Sequence, residues 1–188
     1  MNFNLSKEMR EMLLREGKEW IHSILVALVL TLIIRTFVIQ AFKIPSGSMR
    51  PTLMEGDKLF VNKYVYRFET PKPGDIIVFK YPMDPKKDFI KRLVASGGDE
   101  VEIRDGKIYV NGKALEDPQF FGKFYYYNHD PYGAPGVATK VPEGNYYVLG
   151  DNSANSTDSR FWGFVPKKSV LGKAVFRWWP LNRFGKIE

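Results

Sequence analysis

Residues 20–34 read Trp-Ile-His-Ser-Ile-Leu-Val-Ala-Leu-Val-Leu-Thr-Leu-Ile-Ile, fifteen residues without a Lys, Arg, Asp or Glu. No other stretch limits the chain's options as much. A helix built from it is apolar on every face, with no stripe to turn toward water, so a helix packed on a core is disfavoured. Fifteen residues rise ~22 Å, short of a ~30 Å hydrocarbon core. Residues 17–35 give about 28 Å, enough to span if Lys18, Glu19 and Arg35 reach toward the interfaces. Trp20 then sits at a boundary. A cleavable leader fits poorly: the small residue near a cut is Ala41, and Ile39 breaks the small-x-small rule. The expectation is one uncleaved transmembrane helix over 17–35, after a cytoplasmic segment 1–16. The polar residues ahead of the run, with acids and bases interleaved to Glu19, are expected to form a short helix. Basic residues flank the span on both sides, so orientation is weakly encoded.

Beyond Phe42 the periodicity changes. Short apolar runs at 58–61, 75–79, 89–94, 100–103, 107–110, 146–149 and 173–178 alternate with turn signals such as Lys72-Pro73-Gly74-Asp75, Gly97-Gly98-Asp99 and Asn111-Gly112. Asp105-Gly106 between two apolar runs is a hairpin signal. No helical period persists. The expected fold is mainly β: an antiparallel, barrel-like domain over 36–188 with a small β extension. Residues 115–140 break the pattern. They are aromatic, then rich in Gly and Pro, and read as an excursion such as a long hairpin or lid. His129 lies there and reads as a loop residue.

Composition removes several chemistries. The chain has no cysteine and two histidines, His22 and His129. A disulfide scaffold, a thiol nucleophile and a histidine-rich metal site are therefore excluded, and no metal or cofactor is expected. The net charge is +7, and all but five of the 28 Lys+Arg lie beyond Phe42. That excess suits anionic lipid head groups. No Lys/Arg cluster sits on a recognisable reading element, so nucleic acid is not an expected partner.

Two motifs carry candidate chemistry. In Pro45-Ser46-Gly47-Ser48-Met49-Arg50-Pro51-Thr52-Leu53, Pro45 stiffens the approach and Gly47 permits an unusual backbone conformation. Such a turn can expose the Ser48 hydroxyl and leave its N–H free. That N–H, with a second donor such as the Ser46 hydroxyl, could hold an oxyanion. The same residues also make an ordinary loop. Serine needs a base, and neither histidine is a credible one. Lysine serves if an apolar setting brings its pKa down from about 10.4. Phe89-Ile90-Lys91-Arg92-Leu93-Val94 meets that demand: in a strand, Phe89, Lys91 and Leu93 share one face, and Arg92 on the other could pair with a carboxylate. A third cluster, 150–163, is dense in short hydrogen-bonding side chains. It reads either as an Asx/Ser turn or as a shell that orients the lysine.

At these residues the chain resembles the type I (leader) signal peptidases of the Ser–Lys type. The resemblance runs from Leu32 to about Trp178, through blocks at 44–53, 56–62, 73–82, 88–99 and 150–166. It implies a membrane-bound serine endopeptidase that removes N-terminal signal peptides from exported preproteins after small residues. Ser48 becomes the nucleophile and Lys91 the general base. The Ser48 N–H and Ser46 hydroxyl form the oxyanion hole, and the Ser156 hydroxyl bonds and positions the lysine. Arg92, Asp151, Asp158 and Arg160 look like the supporting ionic network. Phe42, Ile44, Pro45, Met49, Leu53, Val78, Phe89 and Ile90 match positions lining the pockets for substrate residues −1 and −3. The partners implied are signal peptides and membrane lipid. The place implied is the bacterial cytoplasmic membrane, crossed once, with the N-terminus cytoplasmic and the catalytic domain on the outer face. Ser153-Ala154 stand where many members carry Arg-Asp or Arg-Asn, which removes a charged role there. The short distance from Lys91 to Gly150 implies a small accessory β region. A soluble self-cleaving Ser–Lys regulator would carry a DNA-binding segment and an Ala-Gly site, and neither occurs in the sequence. A non-catalytic, membrane-anchored β module stays open on composition.

Overall fold

The polar and apolar stretches expected as two N-terminal segments form one helix, α1 (Lys7–Ile33). The interleaved charges allow this: Arg15 pairs with Glu19 one turn on. The Ser23 and Thr31 hydroxyls donate to the carbonyls of Glu19 and Ala27, so they add no unpaired polar group to the apolar half. Trp20, Ile21, Ile24, Leu25 and Leu28 are all exposed. The computed structural model describes residues 7–33, 39–116 and 121–187. Ile34 and Arg35, the end of the expected anchor, lie outside these. Among the described residues no helix is long and apolar enough to cross a membrane. From Trp20 to the end of α1 the uncharged run rises only ~21 Å.

The chain divides into two compact units, Met1–Val38 and Ile39–Glu188. The second is built from β1 (Ile39–Lys43), β2 (Lys58–Asn62), β3 (Ile76–Tyr81), β4 (Asp84–Ser96), β5 (Glu100–Arg104), β6 (Lys107–Val110), β7 (Lys113–Ala114), β8 (Thr139–Lys140), β9 (Asn145–Leu149), the one-turn helix α2 (Ser159–Trp162), β10 (Val165–Pro166), β11 (Val170–Trp179) and β12 (Gly185–Lys186). Every ladder is antiparallel. The larger sheet runs β1-β2-β11-β3-β4-β9-β10, with β12 beside β11. Its path is open, with β1 and β10 at the two ends, so the described residues do not close the expected barrel. The β10 end is two residues long and finishes in Pro166, which has no N–H for a further ladder. The smaller sheet runs β7-β6-β5-β8. Its two hairpins turn at Asp105-Gly106 and Asn111-Gly112, where both residues of each pair have positive φ.

β4 organises the site. At thirteen residues it extends beyond the apolar run that announced it, because its polar start, Asp84 to Asp88, pairs back on Lys80 and Tyr81 in an exposed hairpin. Further along, Ile90 lies opposite Val78, Lys91 opposite Ile77 and Arg92 opposite Ile76. The two faces meet different cores. Val78 and Ile76 pack with Ile44, Met49, Leu53, Leu59 and Val61, and Ile90 rests against that cluster. Ile77, Phe79 and Leu93 pack with Tyr146, Val148 and Val165, with Phe89 alongside. A third cluster lies under the smaller sheet and includes Ile103, Ile108, Tyr126 and Tyr147.

Candidate active site

Ser48 sits in a single 3-10 turn, Gly47–Met49. Apolar neighbours hold the turn from below: Met49 and Leu53 are fully buried, and the Leu53 amide donates to the Met49 carbonyl at 2.9 Å. Asp57 clamps the returning chain, accepting from the Met54 amide and facing Arg177 and Arg183. The Ser48 amide has no hydrogen-bond partner among the described residues. Gly47 does not use positive φ, contrary to the sequence expectation. Its missing side chain instead makes room: a Cβ there would meet Glu55 Oε1 at 2.8 Å and Arg50 Nε at 3.0 Å.

Lys91 reaches this turn from the middle of β4. Its Nζ lies 2.6 Å from Ser48 Oγ, as donor in the ammonium form. Lys91 is 4% exposed and Ser48 8%. Burial dominates the lysine's titration and brings its pKa down to about 8. Asp158 and Asp151 pull the other way, and Arg160 pushes with burial. Burial outweighs both carboxylates, and each of them is paired with a guanidinium. Arg92 Nε and Nη2 donate to Asp151 at 2.8 and 2.7 Å, and Arg160 Nε and Nη2 donate to Asp158 at 2.8 and 2.9 Å. Arg160, the partner of Asp158, itself works with burial on the lysine, so that pair presents partly offsetting charges. The Phe89 ring, 5.6 Å from Nζ, completes the low-polarity side.

The segment after β9 is stitched to the serine turn. The Asn152 amide donates to the Ser48 carbonyl at 3.1 Å, and its side chain donates to the Gly47 carbonyl at 3.0 Å. Thr52 Oγ1 donates to Asp151 at 2.6 Å. Gly150 is the contact point: a Cβ on it would stand 2.2 Å from Ser156 Oγ and 2.5 Å from the Ser48 carbonyl. Thr52, Asn152 and Gly150 were not singled out from sequence. The available signal was the run of short polar residues ending a strand, which marks the segment without naming members.

The expected residues fall into three groups. Ser48, Lys91, Arg92, Asp151, Asp158 and Arg160 converge, all buried. Ser46 and Ser156 do so incompletely. Ser46 Oγ is 3.5 Å from Ser48 Oγ, at the limit of a hydrogen bond. Ser156 Oγ is buried but has no hydrogen-bond partner, so the expected bond to the lysine is absent. It packs against Gly150 instead. The expected pocket residues differ in exposure. Met49, Leu53 and Val78 are sealed from solvent as core residues, and Ile44 nearly so. Phe89 stacks on Tyr81 at 4.2 Å within the other core. Phe42, Pro45 and Ile90 keep surface open to a ligand. His129 is exposed and stacks on Phe161. Among the described residues no three His, Asp or Glu side chains converge as metal ligands.

A buried amine of lowered pKa, 2.6 Å from a hydroxyl beside a free amide N–H, can perform serine-type acyl transfer. The family model described as signal peptidase, peptidase S26, matches residues 17–179. The chain is 44% identical over 167 residues to the probable signal peptidase I-2 of Synechocystis sp., covering 86% of this chain and 72% of that one. It is 42% identical to the probable signal peptidase I-1 of the same organism, covering 90% and 86%. It is 38% identical to the signal peptidase I of Aquifex aeolicus, covering 76% and 77%.

Proposed function

The chain belongs to the signal peptidase I family, peptidase S26, and is a serine endopeptidase; on that premise we propose that it removes signal peptides from exported preproteins with a Ser48–Lys91 dyad, while anchored in a membrane. The 2.6 Å contact between Lys91 Nζ and Ser48 Oγ inside a buried shell carries this reading. Neutral Lys91 takes the hydroxyl proton as Ser48 Oγ attacks the scissile carbonyl. The free Ser48 N–H and the Ser46 hydroxyl, which has only a weak contact to relinquish, receive the developing oxyanion. The lysine ammonium then protonates the leaving amine. A water molecule, activated by the same amine, hydrolyses the acyl-enzyme.

The shell has four duties. Arg92–Asp151 ties the 150–163 segment to β4, and Arg160–Asp158 braces that segment from within. Burial, aided by Arg160, outweighs the two carboxylates and brings the lysine's pKa down. Phe42, Pro45 and Ile90 offer apolar surface to the small side chains before the cut. Ser156 fills the space over Gly150, beside the Ser48 carbonyl, without a hydrogen bond of its own.

The anchor is proposed as residues 17–35, with the N-terminus cytoplasmic and the catalytic unit on the outer face of a bacterial cytoplasmic membrane. Its support is the all-round apolar surface of α1 after Glu19, which has exposed side chains where an aqueous helix would need a polar stripe.

The decisive measurement incubates purified full chain with a preprotein in detergent. Ser48→Ala and Lys91→Ala should each lower the cleavage rate by at least about a thousandfold while circular dichroism stays native. Near-normal turnover by either variant would falsify the dyad.

A further inference from the structure

A cleft of about 430 Å³ opens next to the serine turn and shares no residue with the −1 and −3 set. Arg50 forms one wall, two residues after Ser48; Asn152 and Ser153 form the floor; Lys123, Tyr125 and Tyr127 line the far side. We propose that this cleft receives the segment that follows the scissile bond, and that it favours an acidic side chain within about three residues of the cut, ~10 Å of extended chain. The assignment rests on the peptidase reading above.

Position supports it. Asn152 hydrogen-bonds the carbonyls of both Gly47 and Ser48, so the cleft floor is continuous with the nucleophile's own turn. The open apolar residues Phe42, Pro45 and Ile90 come from β1, the approach to the turn, and β4. The cleft starts at Arg50 and continues into the excursion after β7. The cleft lining, with Arg50, Lys123, Tyr125 and Tyr127, is basic and aromatic, whereas Phe42, Pro45 and Ile90 are apolar. A preprotein has the matching asymmetry, apolar before the cut and polar after it.

Charge supports it as well. Asp151, also on the lining, is committed to Arg92 and Thr52. Lys123 is exposed and has no ion-pair or hydrogen-bond partner among the described residues. Arg50 gives Nε and Nη2 to Glu55 and stays half exposed. The surplus at the cleft is positive, which steers and selects an anionic segment.

The far wall is firmly built. Tyr125 lies flat against the β5–β6 turn, where a Cβ on Gly106 would fall 2.2 Å from its ring. The Tyr126 amide donates to the Gly106 carbonyl, the Tyr127 amide donates to Ser153 Oγ, and Arg160 Nη1 donates to the Tyr127 carbonyl. The excursion is thereby bonded to the same arginine that holds Asp158, which keeps the cleft width fixed relative to the dyad.

The test uses preproteins with identical signal regions and either two Glu or two Lys at the second and third positions after the cut. With full-length protein at low salt, kcat/KM should favour the acidic substrate by about threefold, the size of one exposed charge pair, and the preference should shrink as salt rises. Lys123→Glu should bring the ratio below one. Lys113→Glu, a matched charge reversal on β7 away from the lining, should leave it unchanged. Equal rates on the two substrates, or an unaltered ratio in Lys123→Glu, overturn the cleft assignment alone. If the wild-type chain cleaves neither substrate, the peptidase reading falls and the cleft assignment falls with it.

Discussion

Two arginine–carboxylate pairs flank the serine turn and close to the same 2.7 Å, yet they do different things. Arg92–Asp151 leaves 1% and 0% of its side chains exposed; Arg50–Glu55 leaves 51% and 39%. In the buried pair neither charge can turn to water, so each depends on the other for solvation. The pair then acts as a rigid strut beside the lysine. In the exposed pair both charges remain hydrated and the contact is replaceable. Arg50 can change partner as substrate arrives, which a buried arginine cannot do. Identical geometry therefore gives architecture in one case and recognition in the other, and solvent access decides which.

Breaking the strut should produce the largest effect. Asp151→Ala leaves the Arg92 guanidinium buried without its main partner and removes the acceptor of Thr52. The expected loss is about 3–5 kcal/mol of stability, read from urea unfolding. A loss below about 1 kcal/mol would mean that water enters the site and that the contrast is false. Next comes Gly150→Ala, whose Cβ has no room against Ser156 and the Ser48 carbonyl. Stability should fall by about 1–3 kcal/mol and kcat by about a hundredfold, because the serine moves relative to the lysine. Unchanged kcat would show that the turn tolerates displacement.

The lysine sharpens the comparison through pH. Its pKa is lowered to about 8, so the neutral form predominates above that value and is lost below it. The cleavage rate should climb about tenfold per unit from pH 6 toward 8 and then level off. A flat profile over that range would remove lysine as the base. Sealing a would-be ammonium in the fold also burdens folding, most below pH 8 and not at all above about 10.5. Lys91→Met should therefore be inactive yet more stable than wild type at neutral pH, with the gain shrinking as pH rises. The smallest effect belongs to the exposed pair. Glu55→Gln should leave the thermal midpoint unchanged within measurement error while strengthening discrimination between acidic and basic mature segments, since Arg50 then has no competing carboxylate.

Much of the architecture was legible along the chain because local rules governed it. The runs at 100–103 and 107–110 became β5 and β6 because Asp-Gly selects a turn that suits their twist. The runs at 58–61 and 146–149 became β2 and β9 because they were apolar and bounded by turns. β4 was underestimated at its polar start, where backbone pairing needs no apolar side chain. The pocket set mixes buried residues with open ones. A motif position shows that a residue lies near the site, whereas Met49 and Leu53 serve the site by filling the core beneath it. The bond expected of Ser156 depended on where one hydroxyl points, and packing over Gly150 settled that.

The order of residue types along the chain was enough to mark a β domain, a serine lacking any usable histidine, and a lysine alternating with apolar neighbours in a strand. These follow from periodicity and composition, which are properties of nearest neighbours. Contacts between residues 48, 91 and 151 span tens of positions, and only the folded sheet could decide them. The same holds for which charges lose their water. Desolvation depends on everything packed around a group, and burial in the folded sheet is what lowers the pKa of Lys91.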